Sequence, residues 1–131
     1  MRDKSLRMKL TEMETRTYRD LLVWQRSMAL VREIYAATEG FPRTEQFGLV
    51  SQLRRAAVSV PSNIAEGRGR LTGKSFALFR SQARGSLYEL QTQMELAGDL
   101  GFIGRERAQS VMGEAAEIAS MIQGLTVSLQ K

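Results

Sequence analysis

The sequence predicts an all-α protein, an antiparallel up-down four-helix bundle with a proline-kinked second helix. Three observations carry that expectation. Apolar residues recur at steps of three and four along most of the chain, the spacing of a helical face, and nowhere alternate as in a half-buried strand. Stretches rich in Gly and Pro interrupt the recurrence at "EGFPRT", "EGRGRLTG" and "GDLGFIG". The intervals between them are too long for strands, and short turns between long helices place those helices antiparallel. At 131 residues the chain holds one core rather than two.

Residues 1–17 are polar, mixed in charge and without sustained periodicity. They are expected to form a flexible basic arm that orders on a partner, leaving 18–131 as the bundle domain. Asp20 is an N-cap residue type, and Leu21, Trp24, Met28, Val31 and Tyr35 mark the inward face of the first helix until Gly40 and Pro42 stop it. Thr44 is expected to cap the second helix, whose apolar face is Phe47, Val50, Leu53, Ala57, Val60 and Ile64. Gly67 and Gly69 end it. The third helix runs from about 72 to 100 with Phe76, Phe79, Ala83, Leu87, Leu90, Met94 and Ala97 inward, and Gly101 supplies its stop. The fourth, from about 105 to 129, has a coiled-coil-like seam of Val111, Ala115, Ile118, Ile122, Leu125 and Leu129. Inward alanines (Ala56, Ala57, Ala83, Ala97, Ala115, Ala119) allow close helix approach.

Pro61, in "SVPSNIAEGRGR", leaves two readings open. Either the second helix ends near Ser59 and another begins with the proline in its first turn, or one helix runs through with a kink. A fresh start calls for Ser, Thr, Asp or Asn before the proline, and Val60 stands there, which favours the continuous helix. An interior proline removes one backbone bond and crowds the carbonyl of Ala57, at a cost of about 3 kcal/mol. Ser59, Ser62 and Asn63 are placed to satisfy freed backbone groups.

Composition excludes much chemistry. The chain has no cysteine and no histidine, which removes thiol nucleophiles, disulfides, the usual general base near neutral pH and the commonest zinc ligands. Glu89, Glu95, Glu114 and Glu117 resemble the carboxylates of a metal-bridged bundle, but such sites use Glu-x-x-His motifs. No catalytic residue, cofactor or metal is therefore expected. No run of about 18 apolar residues offers a membrane span. The N-terminal stretch is charged without an apolar signal region, so a cytoplasmic protein is expected.

The charge is +5 and unevenly spread. Between residues 51 and 84 stand Arg54, Arg55, Arg68, Arg70, Lys74, Arg80 and Arg84 against the single acid Glu66, a net of +6, while the rest of the chain sums to −1. Fifteen of the 19 basic residues are arginine, whose planar fork binds phosphate and carboxylate bidentately. These seven are the candidate nucleic-acid-binding residues, expected to gather on one outward-facing zone. Each could instead be an ordinary solvated or ion-paired cation. Arg54 and Arg55 are about 100° apart on a helix, so both cannot face inward. Arg68, Arg70 and Lys74 flank a glycine-rich turn before the third helix, a place for phosphate, although neither GxxxxGK[ST] nor GxGxxG occurs. Arg80 and Arg84, four apart, share one face as a repelling pair that a polyanion would relieve. Trp24, Tyr35, Phe76, Phe79 and Tyr88 fall on apolar stripes and are expected in the core. No aromatic platform is then left for base stacking, and recognition by shape and charge is expected.

The stretches "YRDLLVWQRSMALVREIYAATEGFP", "FGLVSQLRRAAVSVPSNIAEGRGR" and "FALFRSQARGSLYELQTQMELAGDLGFI" resemble the bacterial four-helix-bundle family of large-subunit rRNA intervening-sequence proteins, related to the accessory variability proteins of diversity-generating retroelements. The resemblance covers roughly residues 18–103 strongly and the last helix weakly. It implies a homo-oligomer, typically a five-membered ring, with a basic surface for RNA or DNA. In the retroelement setting it implies a non-catalytic partner of a reverse transcriptase. The alternative is a structural scaffold whose arginines meet acidic protein surfaces, its own subunits included.

Overall fold

The computed structural model describes the backbone of residues 17–69 and 73–130 and the side chains of residues 17–69 and 73–125. The N-terminal arm apart from Thr17, the turn residues Arg70 and Thr72, and the side chain of Leu129 lie outside the described residues. Four helices follow one another: α1 (Leu22–Thr38), α2 (Leu49–Arg68), α3 (Gly73–Asp99) and α4 (Arg105–Gln130). Single 3₁₀ turns, Tyr18–Asp20 and Arg43–Glu45, precede α1 and α2, and the described residues include no strand.

Each helix packs on its neighbours in sequence and α1 closes the square against α4. Cross-helix pairs give the direction. Between α2 and α3, Gln52 meets Gln93, Ser59 meets Ser86, and Gly67 lies against Phe79, so one number rises as the other falls. The same inversion links Arg26 to Glu117 and Phe41 to Phe102 between α1 and the region of α4. Gly98 beside Ala108 starts the α3–α4 pairing. All four helices therefore run antiparallel to their neighbours.

The core is a continuous apolar cluster from all four helices. Leu53, Ala57, Val60, Ala83, Leu87, Leu90, Met94, Val111, Ala115 and Ile118 are fully buried, and the six inward alanines are buried as expected. The α1 face is turned one residue from the expected stripe: Val23, Ser27, Leu30, Ile34 and Ala37 are buried, whereas Leu21, Trp24 and Val31 pack at its edge and Tyr35 is exposed. Ser27 is the reason. A serine at the centre of the buried face disguises the stripe, and its hydroxyl is satisfied internally by the carbonyl of Val23 at 2.7 Å. Of the five aromatics expected in the core only Phe76 is buried: Trp24 and Phe79 are half-buried at its edge, and Tyr35 and Tyr88 are exposed, amphipathic rings on the shoulder of a stripe.

The helix ends correct the expected caps. α1 begins after Leu21 with no side-chain cap, and Asp20 belongs to the preceding 3₁₀ turn. Thr44 lies in the second 3₁₀ turn and does not cap α2. Glu45 does, its carboxylate accepting the Leu49 N–H at 3.1 Å. Because that turn delays the helix to Leu49, Phe47 falls outside the apolar face and is 90% exposed. Gly101 stops α3 as expected: it sits at φ 78°, where Phe102 N–H reaches the Ala97 carbonyl and Gly101 N–H that of Gly98.

α2 runs through Pro61, so the continuous reading holds. Beside the proline, the Asn63 amide donates to the Ser59 carbonyl at 2.8 Å and to its hydroxyl at 2.9 Å. The Ser59 and Ser86 hydroxyls lie 2.7 Å apart. This polar relay ties the proline segment to α3. One turn on, Gly67 meets Phe79 so closely that a Cβ there would stand 2.8 Å from the Phe79 Cβ.

Candidate nucleic-acid interface

The seven cations singled out by charge do not share one zone. Arg54 faces α1. Its Nε donates to Thr38 Oγ1 at 2.9 Å, its Nη2 to the Tyr35 carbonyl at 3.3 Å and to Glu39 at 3.4 Å, and its guanidinium lies 4.4 Å from the Tyr35 ring centroid. A cation on the last carbonyls of α1 also complements the helix dipole, so Arg54 joins α1 to α2. Arg55, the next residue, is exposed. Arg68 is half-buried at the end of α2 and already engaged. Lys74 is exposed in the first turn of α3, and Arg70 lies outside the described residues.

Arg80 and Arg84 are brought together on the α4-facing side of α3. Since α1 and α3 lie across the diagonal of the bundle, this pair is on the opposite side from Arg54. Arg80 Nε and Nη1 and Arg84 Nε are buried without a hydrogen-bond partner among the described residues. Burial and the neighbouring Arg84 charge hold the Arg80 guanidinium below the ordinary arginine range. Gln91, seven residues beyond Arg84 and so on the same face, adds a further buried, unmatched donor in Nε2.

Here α3 and α4 border a groove of about 340 Å³ lined by Arg84, Tyr88 and Gln91 on one wall and Ala116, Ala119, Ser120 and Gln123 on the other. Arg84 Nη2 points to Tyr88 Oη at 3.5 Å. Two other grooves differ in charge. One at the far end of α3 and α4 carries Glu95 and Asp99, with Arg105 paired to Asp99 at 3.2 Å. One beside α1 and α2 carries Glu39 with Arg54. The Arg84 groove has no acid in its lining.

Charge counting alone missed Tyr88, Gln91, Ser120 and Gln123. The available signal was spacing: positions 80, 84, 88 and 91 fall within one strip of α3. Glu114 and Glu117, half of the carboxylate set considered for metal, hold Arg26 of α1 instead, at 2.6 and 2.8 Å. Among the described residues no three acidic side chains cluster so as to hold a metal ion. No helix there is long and apolar enough to cross a membrane.

Comparison with known proteins adds the lineage. The family model of 23S rRNA-intervening sequence proteins matches residues 19–124. A crystal structure of a protein of unknown function from the S23 ribosomal protein family of Bacteroides thetaiotaomicron superposes with a TM-score of 0.75 at 20% identity, covering 80% of this chain and 98% of that one. That likeness establishes the shared fold. No curated protein matches the chain.

Proposed function

Since the chain belongs to the 23S rRNA-intervening sequence protein family, we propose that it is a non-catalytic, homo-oligomeric nucleic-acid-binding protein that holds RNA or DNA backbone through Arg80 and Arg84, with Arg55 and Lys74 adding charge. One observation carries the reading: two adjacent guanidinium groups with buried, unmatched donors beside an acid-free groove. A buried donor without an acceptor is costly, and two like charges four residues apart on a helix repel. Phosphate oxygens, which only accept, relieve both. In a ring of subunits, five by resemblance to the family, the charge would repeat and binding would be strongly salt-dependent. An accessory role beside a retroelement reverse transcriptase is the narrower form of the same proposal.

The test is fluorescence anisotropy of a labelled structured RNA across a salt series, with light scattering to give the oligomer mass. The native protein should bind at low salt with a steep slope of log affinity against log salt. Arg80→Gln with Arg84→Gln should flatten that slope by about 2 per subunit engaged, near 0.9 per phosphate contact. Unchanged affinity in the double variant would refute the assignment. The second reading is a scaffold whose arginines meet acidic protein partners; Leu78 and Leu96, exposed 18 residues apart and thus on one outward strip of α3, favour a protein contact of some kind. Partner binding that persists at high salt after nuclease treatment would support it.

A further inference from the structure

We infer that the α3–α4 groove is a site for single-stranded nucleic acid, in which Arg80 and Arg84 hold the phosphates and the Tyr88 ring stacks an unpaired base. The inference rests on the nucleic-acid reading above and names which form of nucleic acid the site takes. The chemistry that the charge pattern alone lacked was an aromatic surface beside the cations, and the structure supplies it. Tyr88 is 54% exposed, lines the groove and has its phenol oxygen against the Arg84 guanidinium. A duplex buries its base faces and offers this ring nothing, whereas an unpaired base offers a π-face of any sequence.

The rest of the groove suits the same ligand. Gln91 and Gln123 carry amides that both donate and accept, and Ser120 carries a hydroxyl, groups that match base edges and a ribose 2′-hydroxyl. Ala116 and Ala119 leave room on the α4 wall. Arg84 and Gln91, which line the groove, and Arg80, one turn before Arg84, keep donors with no acceptor among the described residues, so an acceptor-rich ligand toward which these side chains turn gives them hydrogen bonds that the protein alone does not. An acidic peptide would satisfy the arginines but would leave the tyrosine face and the amide acceptors without use. The observations therefore favour a single strand.

The experiment compares a fluorescein-labelled 20-nucleotide oligouridine with a labelled 20-base-pair RNA duplex, using the full chain and anisotropy. The native protein should prefer the single strand. Tyr88→Leu should weaken single-strand binding by about 5- to 150-fold, the range expected for loss of one base–aromatic stack, and leave duplex binding within about twofold. Tyr88→Phe should keep single-strand affinity, because the face and not the hydroxyl is used. Since Tyr88 is exposed, circular dichroism melts should show all variants folded. Oligoglutamate of equal charge should compete poorly.

Four results would overturn the site: equal affinity for both probes with Tyr88→Leu changing neither, equal losses on both probes, loss of affinity in Tyr88→Phe matching that in Tyr88→Leu, or displacement of the strand by oligoglutamate at equal charge. The first two leave general backbone binding standing. Absence of binding to either probe at low salt would overturn the function proposed above together with this site.

Discussion

A guanidinium group recruits a phosphate most readily when its donors are not already engaged and its charge is not already balanced. By that measure Arg54 and Arg80 are opposites, though both lie in the same +6 stretch. Arg54 has Thr38, Glu39, the Tyr35 carbonyl and the Tyr35 ring, whereas Arg80 has two buried donors with no partner among the described residues. Replacing Arg54 by Gln should lower stability by about 1.5–3 kcal/mol, the range for losing hydrogen bonds to a charged group, read as a drop in urea midpoint, and leave RNA affinity within about twofold. Arg80→Met should do the reverse. It removes a desolvated charge that repels Arg84 and keeps an apolar stem, so the midpoint should hold or rise while RNA affinity falls. A large loss of stability in Arg80→Met would mean that the guanidinium is structural. Sequence could not separate these two arginines, because spacing reports which residues share a face of one helix and says nothing about the helix opposite that face.

At the scale of the element, α2 and α3 were the most legible parts of the chain. Their apolar positions recur from Val50 to Ile64 and from Phe76 to Ala97, and period and buried face coincide except that in α3 Phe79 is half-buried and the polar Gln93 is buried. α1 was less legible because Ser27 occupies the middle of its buried face, and the α2 start was obscured because Thr44 and Glu45 compete for it while a 3₁₀ turn delays the helix. The Glu45 cap makes a prediction: Glu45→Ala should cost about 0.5–2 kcal/mol in chemical denaturation, as loss of an N-terminal cap does. Gly67→Ala should destabilise despite the helix-propensity gain of about 1 kcal/mol, because the new methyl meets the Phe79 Cβ, which cannot swing away as a chain end could. A raised midpoint in Gly67→Ala would show that α2 and α3 are not so closely apposed. The α1–α4 link should respond to pH. Hydrogen bonding to Arg26 and its charge hold the Glu117 carboxyl below the ordinary glutamate range. A depressed folded value stabilises the fold fully above the ordinary range and progressively less as pH falls through it toward that lower value. Glu117→Gln should therefore reduce stability at neutral pH and flatten the acid limb of a melting-temperature profile.

At the scale of the molecule, the all-α bundle and its family were readable from periodicity and from the segment around Pro61, and residues 19–124 match the family model. The site was only partly readable. Charge singled out one stretch of chain, but folding divides its cations between opposite sides of the bundle and sets Ser120 and Gln123, from a helix nearly 40 residues away, in the wall facing Arg84. Tyr88 shows why: an aromatic on the shoulder of an apolar stripe has the same spacing whether it closes the core or borders a groove. The account depends on the acid-free groove between α3 and α4 meeting a polyanion, and the most direct measurement is the salt dependence of RNA affinity for the native chain, the Arg80→Gln/Arg84→Gln double variant and the Arg54→Gln control. The account predicts a slope flattened in the double variant alone. Equal slopes in all three, or flattening in the Arg54→Gln control to the same degree, would contradict it.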